Sequence, residues 1–106
     1  MDFLLNQLQI LPNLNIDIDQ LVIAYEPIWA IGSGKIPTTY QIAEVANLIH
    51  SFVQKTLPRA KILVLYGGSV TAKNIAEILQ IAGIAGVLVG GASLKVDEFI
   101  SICASA

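Results

Sequence analysis

A single cysteine, Cys103, stands in the 106 residues, so no disulfide or cysteine-based zinc site can form within the chain. Its expected role is that of a small packed or half-exposed residue near a frayed end. Charge is scarce as well. Asp, Glu, Lys and Arg make up 13% of the residues, against about a quarter in ordinary soluble domains. Six Lys and Arg against eight Asp and Glu leave a net charge of -2. No basic cluster is available to neutralise a run of phosphates, which excludes nucleic acid as an expected partner. No cationic segment precedes the apolar residues at Met1-Asp2-Phe3, which argues against a secretory signal and for a cytoplasmic protein. The least polar stretch, Ile81 to Leu94, is uncharged but spans only fourteen residues with four glycines, short of the roughly 20 that cross a bilayer. It reads as a buried strand with flanking turns, and no membrane partner is expected. Repeats, low-complexity tails and long linkers are absent too.

The length fits one small domain, 1-106, and leaves little room for two. A hydrophobic fraction of 55% is high for a free-standing domain, so part of the apolar surface expects a partner. Three short runs, Gln20 to Tyr25, Lys61 to Tyr66 and Gly86 to Val89, are dense in Val, Ile and Leu with almost no alternation. That is the pattern of parallel strands covered on both faces. Between them lie helical stripes, Ile42, Val45, Leu48, Ile49, Phe52 and Val53 on one, Ile75, Ile78 and Leu79 on another. A helix-like segment from Asp2 to Leu11 comes first, and Val96 to Ile102 comes last with Asp97 and Glu98 favouring its N-terminal end. Prolines 12, 37 and 58 and the pairs Gly67-Gly68 and Gly90-Gly91 punctuate the elements. The fold class is therefore α/β, with parallel strands alternating with helices. Such a sheet can curl into a barrel, but three strands cannot close one that needs eight strands and about 250 residues.

In this architecture chemistry gathers at the carboxyl ends of strands. After the first strand comes Glu26, followed by Pro27-Ile28-Trp29-Ala30-Ile31-Gly32-Ser33-Gly34-Lys35: a carboxylate, then a loop stiff at one end and glycine-rich at its tip. The arrangement reads as a base beside a lid, Pro27 and Trp29 confining bending to a hinge. A carboxylate held out of water is a stronger base than one in bulk solvent. An isolated strand-end glutamate more often caps a turn or pairs with a lysine. Here Gly67-Gly68-Ser69 and Gly90-Gly91-Ala92-Ser93 follow the other two strands, and with Gly32 their backbone N-H groups can surround one anion. One glycine pair alone would read as a turn. Three glycine-bearing loops at one end of a sheet favour a phosphate site.

The run Ala24-Tyr25-Glu26-Pro27-Ile28-Trp29-Ala30-Ile31-Gly32-Ser33-Gly34-Lys35 resembles the signature and lid of the triosephosphate isomerase family. Tyr66-Gly67-Gly68-Ser69-Val70 and Leu88-Val89-Gly90-Gly91-Ala92-Ser93-Leu94 resemble its other phosphate loops. The resemblance runs from about Gln20 to the end and implies strands six to eight of a (β/α)8 TIM barrel. By it, Glu26 is the base that shuttles a proton between adjacent carbons of a small phosphorylated triose. Gly32, Ser69, Gly90 and Gly91 hold the phosphate, and Pro27, Ile28, Trp29, Ala30, Ile31, Ser33, Gly34 and Lys35 form the lid. No cofactor and no metal are implied, and the intact protein would be a homodimer with the missing barrel half as this segment's partner. The family itself illustrates tuned acid and base groups, with a neutral histidine as electrophile and a closing loop that excludes water. By the same resemblance that proton shuttle runs through an enediolate, and exclusion of water suppresses loss of phosphate from it.

The resemblance also marks what is not matched. An asparagine and lysine after the first strand and a histidine after the fourth have no counterpart here. His50, near the far end of the long helix, is expected to be a partly exposed surface residue, and Lys35 a hinge and surface charge. In the family a hydroxyl placed like that of Tyr66 bonds a backbone N-H near position 37, yet Pro37 has none. Gly83-Ile84-Ala85-Gly86 replaces an acidic pair. The competing readings are a non-catalytic remnant that binds phosphate weakly or packs on another chain, and a different phosphate-binding barrel enzyme. The lid motif with Glu26 argues against the latter.

Overall fold

The computed structural model describes residues 2–14, 19–27 and 36–106. A first helix, α1 (Asp2–Leu8), is followed by a short 3-10 turn at Leu11–Asn13. The expected helix to Leu11 therefore ends early. Pro12 has no N-H to donate to a carbonyl one turn back, so the α-helical ladder cannot run on through it. Then come β1 (Gln20–Tyr25), α2 (Thr39–Thr56), β2 (Lys61–Gly68), α3 (Ile75–Leu79), β3 (Gly86–Val89), a 3-10 turn at Gly91–Leu94, and α4 (Val96–Ala104).

The strands form one parallel sheet in the order β1-β2-β3, with Tyr25 opposite Tyr66 and Gly67 opposite Leu88. Helix α2 starts where it does because Thr38 makes a reciprocal cap. Its hydroxyl accepts from the Gln41 N-H at 3.1 Å, and its own N-H donates to Gln41 Oε1 at 2.9 Å. The helix buries Ile42, Val45, Ala46, Ile49 and Val53, one stripe of apolar residues. Val45, Ala46, Ile49 and Val53 pack on Val64 with Leu8 and Leu11, while Ile42 joins Tyr66, Val70, Ile75, Ile78, Ile81 and Ile102.

Among the described residues both core clusters lie on one side of the sheet, which departs from the expectation of strands covered on both faces. Along β1 exposure alternates: Leu21, Ile23 and Tyr25 pack inward, while Val22 is 52% exposed and Ala24 is exposed. β3 is likewise only partly buried, with Leu88 exposed, so the strand within Ile81 to Leu94 is not the buried strand expected. Val22, Ala24, Leu63, Leu65 and Leu88 share the open face by their alternation and register. No helix of the described residues is long and apolar enough to cross a membrane.

Candidate active site

Glu26 is the first residue after β1, and Pro27, which is buried and has no N-H, stops the ladder there. By alternation with Val22 and Ala24, the Glu26 side chain belongs to the open face. It lies across Gly67 of the neighbouring strand. A Cβ added at Gly67 would stand 2.8 Å from Glu26 Cγ, 3.0 Å from Oε1 and 3.3 Å from Cδ. Only glycine leaves room for the carboxyl group in that position. Glu26 is exposed, not buried as a water-excluded base would be, because nothing described covers that face.

One residue along, the arrangement faces the other way. Tyr66 is fully buried and meets Tyr25 edge-on, with ring centroids 6.3 Å apart and planes at 61°. Its ring folds over Gly68, whose added Cβ would strike the Tyr66 hydroxyl and lie 2.8 Å from Cζ. That hydroxyl is buried with no hydrogen-bond partner among the described residues. Burial pushes the Tyr25 and Tyr66 hydroxyls above their ordinary value of 10.0, and for Tyr66 the charge of Tyr25 adds to it. Pro37 is buried as well.

The Gly67-Gly68 pair belongs to β2 and pairs with Leu88 and Val89, so the expected exposed glycine loop begins only at Ser69. Ser69 is half-buried, and its carbonyl accepts from Asn74 Nδ2 at 2.7 Å. Asn74 also receives the Thr71 N-H on Oδ1 at 2.8 Å, and the Thr71 hydroxyl accepts from the Asn74 N-H at 3.3 Å. After β3, the Ser93 hydroxyl donates to the Gly90 carbonyl at 2.6 Å and its N-H does so at 2.9 Å. Gly90 and Gly91 are exposed, and a Cβ at either would meet nothing within 4 Å.

Glu26, Ser69 and Gly90-Gly91 therefore stand at the carboxyl ends of three adjacent strands. Ile28, Trp29, Ala30, Ile31, Gly32, Ser33, Gly34 and Lys35 lie outside the described residues. A cavity of about 520 Å³ runs beside the open edge of β1, lined by α1 residues Phe3 and Leu4 and by Ile23, Tyr25, Glu26 and Pro27 among others. It shares Glu26 with the strand-end site but does not reach Ser69 or Gly90. His50 lies on α2, where its Nε2 donates to the Gly83 carbonyl at 2.9 Å. Cys103 is exposed on α4. Among the described residues, no cluster of three His, Cys, Asp or Glu side chains is placed to hold a metal.

Two residues escaped the sequence reading. Asn74 braces the Ser69 loop, a role that the Thr71-x-x-Asn74 spacing signals as a reciprocal turn cap. Glu98, read only as a helix-start charge, accepts from the Ala72 N-H at 2.7 Å across 26 residues. No local sequence pattern marks that pairing.

A parallel sheet with helices between its strands, a carboxylate after one strand and glycine turns after another place the chain among segments of (β/α) barrels with strand-end sites. The sequence model described as "Triosephosphate isomerase" matches residues 1–106. Triosephosphate isomerase from Mesomycoplasma hyorhinis is 48% identical over 88 residues, 83% of this chain and 34% of that protein. The one from Neisseria meningitidis serogroup A is 45% identical over 106 residues, 95% of this chain and 40% of that protein. A crystal structure of triosephosphate isomerase from Bartonella henselae superposes with a TM-score of 0.69 at 42% identity, over 79% of this chain and 34% of that one. The chain belongs to the triosephosphate isomerase family. It spans 34% to 40% of the length of these relatives.

Proposed function

We propose that this chain supplies the base and the phosphate grip of a triosephosphate isomerase, interconverting D-glyceraldehyde 3-phosphate and dihydroxyacetone phosphate through an enediolate. The observation that carries this reading is the Glu26 carboxyl group lying across Gly67 at the strand ends. There a carboxylate can take a proton from the carbon beside a carbonyl and return it to the next carbon. Ser69, Gly90 and Gly91, with Gly32 of the lid motif, hold the phosphate. The open space beside Gly90 and Gly91 supports this, because the protein's own packing does not demand glycine there. The remaining lid residues, Pro27 to Lys35, close over the substrate.

The electrophilic histidine and the lysine belong to barrel segments outside this chain, and so does the loop through which the intact protein forms a homodimer. The missing barrel portion is the partner of the open β1 edge and of the exposed Val22 and Leu88. A carboxylate without its electrophile and lysine loses most transition-state stabilisation, so the isolated 106 residues have no measurable isomerase activity. In a complete barrel containing this chain, Glu26→Gln lowers turnover of glyceraldehyde 3-phosphate by about a hundred- to ten-thousandfold. Near-normal turnover by that variant refutes the assignment of the base. Turnover by the purified chain alone, abolished by Glu26→Gln, refutes the claim that the segment is inactive by itself.

A further inference from the structure

We propose that Glu98 is a positioning residue of the anion site, clamping the loop after β2 to the helix that follows the loop after β3. This rests on the phosphate-binding reading above. The β2–β3 ladder ends at the pair Gly68 and Val89, one residue before Ser69 on one strand and before Gly90 on the other. Beyond that pair the ladder no longer ties the two loops together, yet a shared phosphate needs both held to within about 0.5 Å.

Glu98 sits in the first turn of α4, where a glutamate ordinarily turns back onto its own helix start. Instead its Oε1 crosses to the Ala72 N-H at 2.7 Å, in a part-buried setting. That short bond joins a charged acceptor to an N-H with no helical partner, and such bonds are stronger than neutral ones. From Ala72 the bracing continues through the turn. Asn74 Oδ1 holds the Thr71 N-H at 2.8 Å, and Asn74 Nδ2 holds the Ser69 carbonyl at 2.7 Å. On the other side, α4 follows directly on the Gly90 to Ser93 turn, which is closed by the two Ser93 bonds to the Gly90 carbonyl. Glu98 thus fixes the spacing between Ser69 and Gly90-Gly91 without touching the anion itself.

The test uses the complete barrel with Glu98→Asp, Glu98→Gln and Glu98→Ala, measuring kcat, KM for glyceraldehyde 3-phosphate, competitive inhibition by inorganic phosphate and thermal unfolding. Glu98→Asp keeps the charge but shortens the reach, and Glu98→Gln keeps the reach but not the charge. Glu98→Asp and Glu98→Ala raise KM and the phosphate inhibition constant together by about tenfold, as expected for one lost charge-assisted bond. Under the same conditions kcat falls less than the affinities do, and Glu98→Gln restores most of the phosphate affinity. Should Glu98→Ala not fold, Glu98→Asp against Glu98→Gln carries the comparison. Phosphate inhibition in the unaltered protein that Glu98→Asp leaves unchanged overturns this proposal alone. A lowered unfolding temperature with unchanged KM does the same, since it marks a merely structural bond. An unaltered protein that phosphate does not inhibit overturns the underlying phosphate reading and this proposal with it.

Discussion

Gly67→Ala and Gly68→Ala differ by one position and are expected to fail in opposite ways. A methyl at Gly67 would stand 2.8 Å from Glu26 Cγ, where ordinary contact begins near 3.4 Å, so the side chain must retreat by about 0.6 Å. The displaced atoms belong to an exposed, flexible side chain, so folding loses little. Catalysis loses much, since a misplacement of about 1 Å costs on the order of a hundredfold in rate. In a complete barrel we expect kcat to fall about ten- to hundredfold, with KM and phosphate inhibition little changed. A methyl at Gly68 meets the Tyr66 ring instead, 2.8 Å from Cζ and 3.2 Å from Cε2, and that ring is fully buried. It cannot swing into solvent, so Gly68→Ala destabilises by about 1 to 3 kcal/mol through overpacking. Steady-state kinetics and denaturant unfolding of both variants provide the assay. The reasoning is refuted if Gly67→Ala keeps kcat within about twofold of the unaltered protein, or if its loss of rate tracks a loss of stability.

Tyr66→Phe removes a buried hydroxyl that has no partner among the described residues and should be neutral or stabilising by about 1 kcal/mol in urea unfolding; a loss larger than that means the hydroxyl is bonded in the complete protein. Because burial raises the Tyr25 and Tyr66 hydroxyls above 10.0, the folded state keeps those protons more tightly than the unfolded chain. Stability is therefore full below pH 10 and falls as pH rises through the raised values, with a smaller fall in Tyr66→Phe; a flat alkaline profile contradicts this. His50→Ala cuts the 2.9 Å bond that ties α2 to the turn before β3 and should cost about 1 kcal/mol in unfolding free energy with kcat unchanged. In the same turn Gly83 has φ 91, so Gly83→Ala should cost about 1 to 2 kcal/mol through left-handed backbone strain. Thr38→Ala should cost about 1 kcal/mol by removing the cap of α2, visible as a lowered unfolding midpoint.

The strands and the long helix were legible because Val, Ile and Leu density and the stripe from Ile42 to Val53 leave few alternatives. The position of Glu26 was legible for a different reason: strand ends in parallel sheets gather function, and Pro27 marks where β1 stops. What failed was environment. Val22, Leu63, Leu65 and Leu88 are as apolar as their inward-facing neighbours, so the sequence shows no period of two, and the one-sided cover could not be read from it. Gly67-Gly68 reads as a loop in the sequence because glycine pairs usually break strands. Here each glycine instead makes room for a side chain, Glu26 on one face and Tyr66 on the other. The Glu98 to Ala72 bond was invisible because one partner is a backbone N-H, which no residue type announces.

The face that holds Glu26 is also the face the described chain leaves open. Val22, Ala24, Leu65 and Leu88 are apolar side chains facing solvent or half exposed to it, and burying a Val or Leu completely is worth about 1.5 to 3 kcal/mol. Whatever covers them to recover that energy necessarily comes down beside Glu26, because alternation along β1 and the register with Gly67 put its carboxyl in the same layer. Cover excludes water from the carboxylate at the same time as it supplies apolar contact. On the proposed reading of Glu26, folding of the whole barrel and activation of the base are then one event, driven by the same surface. The apolar excess of this segment and the exposure of its carboxylate are two views of one open face.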